Sequence, residues 1–174
     1  GERTWINPSP NAPNLWMARC YAGTVMLEGT TLSEGRGTTR PLELLGARDL
    51  EPATLLAHLR ARAPGWLAGC TLRPCWFEPT FHKHMGRLCA GMQLHVDDGA
   101  YVHHAFRPWR LMALAFKSIR ELRSDYPLWR DFDYEYESAR LAIDIINGGP
   151  ALREWVDDPR AEPGDLDALA AADE

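Results

Sequence analysis

Apolar residues recur at helical spacing in some stretches of this chain and at strand spacing in others. Leu55, Leu56 and Leu59 share one face of a helix predicted over 52–63. Pro52 suits its first turn, and Pro64-Gly65 stops it. Trp109, Met112, Phe116, Ile119 and Leu122 draw a core stripe along the longest predicted helix, 106–126, which Pro108 opens and Pro127 ends. Arg110, Lys117, Arg120 and Arg123 fall off that stripe and are expected on the surface. Shorter helices are predicted over 15–21, 139–146 and 151–156, the last two separated by Gly148-Gly149-Pro150.

The clearest strand is 89–96. Ala90, Met92, Leu94 and Val96 form its core face, and Cys89, Gly91, Gln93 and His95 the other. That second face sets a thiol, an amide and an imidazole around a glycine expected to keep it open; a plain solvent face would carry Lys, Glu or Thr. A second strand is predicted over 71–77, where Pro74 implies a sheet edge or a bulge. Residues 41–46 read as a short strand, 24–27 as a strand or one helical turn, and 1–14 as an extended Pro- and Asn-rich arm. The strand–helix–strand order gives an α/β domain, with α+β as the second form: a small mixed sheet with helices packed on it.

One stretch has neither period. Residues 28–41, Glu-Gly-Thr-Thr-Leu-Ser-Glu-Gly-Arg-Gly-Thr-Thr-Arg-Pro, hold two carboxylates, two guanidiniums and five hydroxyls. Leu32 is the only large apolar side chain there. Gly29, Gly35 and Gly37 allow close approach to the main chain, and arginine offers a planar fork of donors for carboxylate or phosphate. A loop that recognises a polar ligand fits this composition; so does a solvated loop whose charges cancel.

The bulk numbers fit one domain. At 174 residues a chain buries roughly 70% of its unfolded surface. A content of 45% hydrophobic and 25% charged residues is ordinary for a globular protein. No apolar run approaches the ~20 residues of a membrane span. The net charge of −5 is uneven: residues 157–174 hold seven acids and one base, leaving the first 156 at +1. The acidic end is expected to be a terminal helix or tail on a 1–156 domain. The rest has no basic face dense enough for nucleic acid. Cys20, Cys70, Cys75 and Cys89 fit no disulfide scaffold and are expected as buried free thiols.

Three ordered motifs carry a resemblance. The run EGTTLSEGRGTTRP at 28–41 is similar to the signature EGTNLSEGRGT of bacterial exo-β-N-acetylmuramidases, the NamZ-type glycoside hydrolases. NPSPNAPNL at 7–15 resembles that family's Pro-Ser-Pro-Asn-x-Pro segment. FEPTFHKHMGRLCAGMQLHVDD at 77–98 resembles its Phe-x-Pro-Thr-Phe-Ser-Lys-His segment and the following Cys-x-Gly-x-Gln-x-His. Thr31 stands where the family usually has Asn, and His82 where it has Ser. The resemblance implies the smaller C-terminal domain of a two-domain enzyme whose larger Rossmann-like domain lies upstream and is not in this chain. It also implies a periplasmic or secreted protein, no cofactor, and release of terminal N-acetylmuramic acid from peptidoglycan fragments.

Under that reading Glu28 and Glu34 are the catalytic candidates, since glycoside hydrolysis commonly uses two carboxyl groups across the scissile bond. Arg36 next to Glu34 favours its ionised form, which leaves Glu28, with no arginine beside it in sequence, as the better acid. Lys83, Arg36 or His84 suit the lactyl carboxylate of muramic acid. Thr31, Ser33, Thr38, Gln93 and His95 complete the expected sugar-binding set. The principal acid is also expected in the upstream domain. Trp76 and Trp109 are expected in the core, Trp5 and Trp16 as stacking platforms. The rival readings are a non-catalytic glycan-binding module and a zinc hydrolase using His82, His84, Cys89 and His95, with His103-His104 in reserve, although no paired metal-ligand spacing is present. EGRGTTR lacks the Gly-Lys-Ser/Thr of a phosphate loop.

Overall fold

A computed structural model describes residues 4–97, 99 and 101–172; Gly1–Arg3, Asp98, Ala100, Asp173 and Glu174 lie outside the described residues. Helix α1, Leu15–Thr24, starts where the Asn14 side chain accepts a hydrogen bond from the Met17 amide at 2.9 Å. It runs into a 3-10 turn, Val25–Gly29, so 24–27 takes the helical alternative. Then come β1 (Leu44–Ala47), α2 (Pro52–Arg62), β2 (Thr71–Phe77), β3 (Cys89–His95), α3 (Pro108–Leu122), α4 (Ala142–Ile146), α5 (Ala151–Asp157) and α6 (Pro163–Ala172).

Strand β3 is central, with β1 and β2 antiparallel on either side. The sheet therefore takes the α+β form. Pro74 sits in the edge strand β2, where its missing N–H leaves no ladder bond unmade. Met92, Leu94 and Val96 point from β3 into one core with Leu55, Leu59, Met112 and Phe116. Gly91 does not open the opposite face. A Cβ there would meet the Leu45 carbonyl oxygen at 1.9 Å, so the glycine is needed for the approach of β1.

Three expectations about the core are corrected, the first being Leu122, which is exposed at the end of α3. Trp76 is 64% exposed: it shares a face of the edge strand with the buried Leu72, but nothing covers its end of that strand. Lys117 is 1% exposed rather than a surface cation. Helices α1, α2 and α5 all pack on α3, and the Lys117 ammonium reaches the end of α5. There it donates to the carbonyls of Trp155, at 3.0 Å, and Asp158. The Trp155 carbonyl would otherwise be left without a donor by the helix end, whereas the Asp158 carbonyl also accepts from the Ala161 amide at 3.1 Å. Trp109 is half-buried against the core and donates to the Asn147 side chain at 2.9 Å.

The acidic end packs on the body. Leu166 of α6 is buried in the common core, and Arg62 pairs with Glu121 and Glu162. Cys20 and Cys89 are buried thiols, whereas Cys70 and Cys75 are half-buried. No helix among the described residues is long and apolar enough to cross a membrane.

Candidate functional site

After the 3-10 turn the polar loop runs through the molecule rather than over it. The Thr31 amide donates to the Leu128 carbonyl at 2.8 Å. Ser33 and Gly46 exchange two backbone bonds at 2.7 and 3.0 Å, tying the loop to β1. The hydroxyls shape the loop itself. Thr30 donates to the Leu27 carbonyl, Ser33 accepts from the Gly35 amide, and Thr38 donates to the Gly35 carbonyl. Gly37 is in the left-handed region at φ 78°, and a Cβ there would lie 1.9 Å from the Thr80 hydroxyl. Such a position rejects side chains.

The loop closes around Glu34, which is 1% exposed. Arg36 Nε lies 2.6 Å from Glu34 Oε1, and Lys83 Nζ 2.9 Å from Oε2. His82 Nδ1 is 3.4 Å from Oε1. Burial opposes ionisation of Glu34, but the Lys83 charge and the hydrogen bonds from Lys83 and Arg36 outweigh it. They hold the carboxyl below its ordinary range. Burial pushes the Lys83 ammonium down to about 8, against the pull of Glu34. Besides its ion pair with Glu34, Lys83 donates to the carbonyls of Leu27 and Thr30.

Arg36 also pairs with Glu28 through Nη2. Glu28 is therefore not the carboxylate without an arginine that the sequence suggests. Eight residues separate the two in sequence, and only the fold of the loop joins them. Tyr134 donates to the other Glu28 oxygen at 3.1 Å. Burial and then the Glu28 charge push this phenol up to about 12, so it remains a donor.

Glu28, Arg36, Phe81, His82, Arg130, Phe132 and Tyr134 line a cleft of about 260 Å³. Arg36 also lines a neighbouring pocket of about 370 Å³ under the N-terminal arm, where Trp5 and Tyr21 stand. Trp16 lies beneath the Arg40 guanidinium, 5.6 Å from its ring centroid.

The structure thus brings Glu28, Glu34, Arg36 and Lys83 together, with Ser33 and Thr38 in the same loop. Thr31 and His84 face another pocket, with Arg48, Arg87 and Tyr126, and His84 Nε2 lies 2.8 Å from the Thr31 carbonyl. Gln93 and His95 do not line the Glu28 cleft. His95 belongs to a second charged group. Arg73 donates to His95 Nε2 at 3.0 Å, Asp97 lies 3.5 Å from Nδ1, and Arg40 joins Asp97 to the buried Glu43. Burial, followed by the Arg73 charge, holds the imidazole below its ordinary pKa.

The proposed zinc ligands are dispersed among these sites: His82 on Glu34, His84 on Thr31, His95 on Arg73, and the Cys89 thiol on the Arg87 carbonyl. Among the described residues, no three His, Cys, Asp or Glu side chains are placed to hold an ion. Arg130, Phe132 and Tyr134 are cleft residues that the sequence reading missed. Their only signal is the aromatic–acidic alternation of Arg-Asp-Phe-Asp-Tyr at 130–134, which matches no core pattern.

A small antiparallel sheet backed by helices, with a carboxylate-bearing loop beside a polar cleft, defines an α+β domain. The chain belongs to the family described as exo-beta-N-acetylmuramidase NamZ, C-terminal, whose profile matches residues 19–174. It is 45% identical over 130 residues to the peptidoglycan beta-N-acetylmuramidase NamZ of Bacillus subtilis (strain 168). That alignment covers 75% of this chain and 28% of the relative, so the matched stretch spans less than a third of that protein's length. Two crystal structures of DUF1343 family proteins from Bacteroides fragilis share the fold. One has a TM-score of 0.70 at 22% identity and covers 97% of this chain and 43% of its own. The other has a TM-score of 0.59 at 18% identity and covers 94% and 38%.

Proposed function

We propose that this chain forms one wall of the cleft of an exo-β-N-acetylmuramidase that removes terminal N-acetylmuramic acid from peptidoglycan fragments. The observation that carries this reading is the Glu28 carboxylate at the cleft, oriented by Arg36 on one oxygen and Tyr134 on the other. Glu34 lies behind it and serves the loop. A single carboxylate on this wall leaves the second group of a hydrolytic pair to a facing wall. The relatives' chains are more than twice as long as this one, which leaves ample polypeptide for that wall. The ion pair requires Glu28 as a carboxylate, the form that takes up a proton or stabilises positive charge at the sugar. The same observation keeps a glycan-binding module as the second reading, because one carboxylate suffices to bind a sugar.

The two readings differ in turnover. In the full-length protein, Glu28→Gln should lower release of N-acetylmuramic acid from a chromogenic muramide by about a hundredfold or more. Its affinity for the free sugar should change little. Turnover close to wild type in the folded variant would remove Glu28 from the chemistry.

A further inference from the structure

The cleft holds more positive than negative charge. Glu28, Arg36 and Arg130 line it, and the enclosed Glu34 is paired with Arg36 and Lys83. Arg36 is occupied by both carboxylates, and Lys83 by Glu34 and two carbonyls. The cations first expected to meet a ligand anion are thus already paired. Arg130 is different. It lines the cleft, and its Nη1 is buried with no hydrogen-bond partner among the described residues. Its guanidinium carbon lies over the Phe132 ring, 3.8 Å from the centroid, a cation–π contact that restrains it. Its amide donates to the Gly29 carbonyl at 3.0 Å, fixing its backbone beside the loop that carries Glu28. Asp131, Asp133 and Glu135 are exposed neighbours in the chain. None of them forms an ion pair with Arg130 among the described residues.

A buried guanidinium donor without an acceptor is costly to leave unmade. At a cleft, a ligand carboxylate supplies the acceptor, and the planar fork matches its two oxygens.

We propose that Arg130 is the specificity-determining residue of this cleft, binding the carboxylate of an acidic sugar and so distinguishing it from the neutral sugar without that group. This assignment rests on the muramidase reading and names the group that selects its substrate. Lys83 and Arg36 then set the loop, and Arg130 reads the ligand.

The test is calorimetric titration of the full-length protein with N-acetylmuramic acid and with N-acetylglucosamine, which lacks the lactyl carboxylate. Wild type should prefer the acidic sugar. Arg130→Gln should lose roughly ten- to a hundredfold in affinity for the acidic sugar. Its affinity for the neutral sugar should stay within about twofold, so that the preference collapses. Arg130→Lys keeps the charge without the fork and should give an intermediate preference; it carries the test if circular dichroism shows Arg130→Gln unfolded. A folded variant that keeps the wild-type ratio of affinities overturns the role of Arg130. A wild type that does not distinguish the two sugars overturns the muramidase reading beneath it.

Discussion

Glu34 is a carboxylate almost without access to water, held between Arg36 and Lys83. Removing its charge strands a buried ammonium. Glu34→Gln should therefore destabilise the chain by about 3–5 kcal/mol, read by chemical denaturation. The same pairing sets an acid limit. The folded-state pKa of Glu34 lies below its ordinary 4.5. Its contribution is complete above pH 4.5 and is lost as pH falls through the lower folded value. The wild-type melting temperature should fall on acidification below pH 4.5, and Glu34→Gln should show a shallower fall. An equal acid slope in both proteins would contradict this. Part of the arrangement was legible in the sequence. Arg36, two residues from Glu34, announced an ionised carboxylate, and the glycines announced a constrained loop. Lys83 and Tyr134 come from distant segments, and nothing in residues 28–41 indicates which distant side chains will meet them.

At the scale of elements, apolar spacing places most helices and strands to within a few residues, because each buries one face against a shared core. β2 runs over 71–77 as predicted, and β3 is one residue shorter than expected. The period says less about what covers the remaining faces. α3 is surrounded, so Lys117 is buried, and the core does not extend under the far end of β2, so Trp76 is exposed although it shares a face with the buried Leu72. Lys117 now has a defined duty as the donor at the end of α5. Lys117→Met should keep the apolar stem and lose the donor, leaving the Trp155 carbonyl unmatched and Asp158 with the Ala161 amide alone. The expected loss is about 1–3 kcal/mol in denaturant unfolding. It should come without a change in sugar affinity, since Lys117 does not line the cleft. Unchanged stability would mean that water replaces the ammonium at the helix end.

At the scale of the molecule, the described residues form a main core running from α1 to α6 and a small cluster of Ala12, Met17 and Leu42, and the Glu28 cleft lies beside the main core rather than within it. Stability and chemistry therefore make separate demands. The core needs only this chain. Hydrolysis needs a second reacting group held to about half an ångström, in a site sheltered from water. This wall presents Glu28, Arg130 and Tyr134, while its second carboxylate is enclosed. The ordered motifs of 7–98 made the family legible, yet they could not separate the Gln93–His95 face from the Glu28 cleft, because sharing a motif does not place residues on one side of a sheet. The most direct test compares turnover of a chromogenic N-acetylmuramide by the full-length protein and by this 174-residue chain. Both should be at matched concentration, with the fold of the chain confirmed by circular dichroism. The account predicts hydrolysis by the full-length protein and almost none by the folded chain. Turnover by the chain alone near the full-length rate would contradict it, and would make Glu28 and Glu34 a self-sufficient catalytic pair.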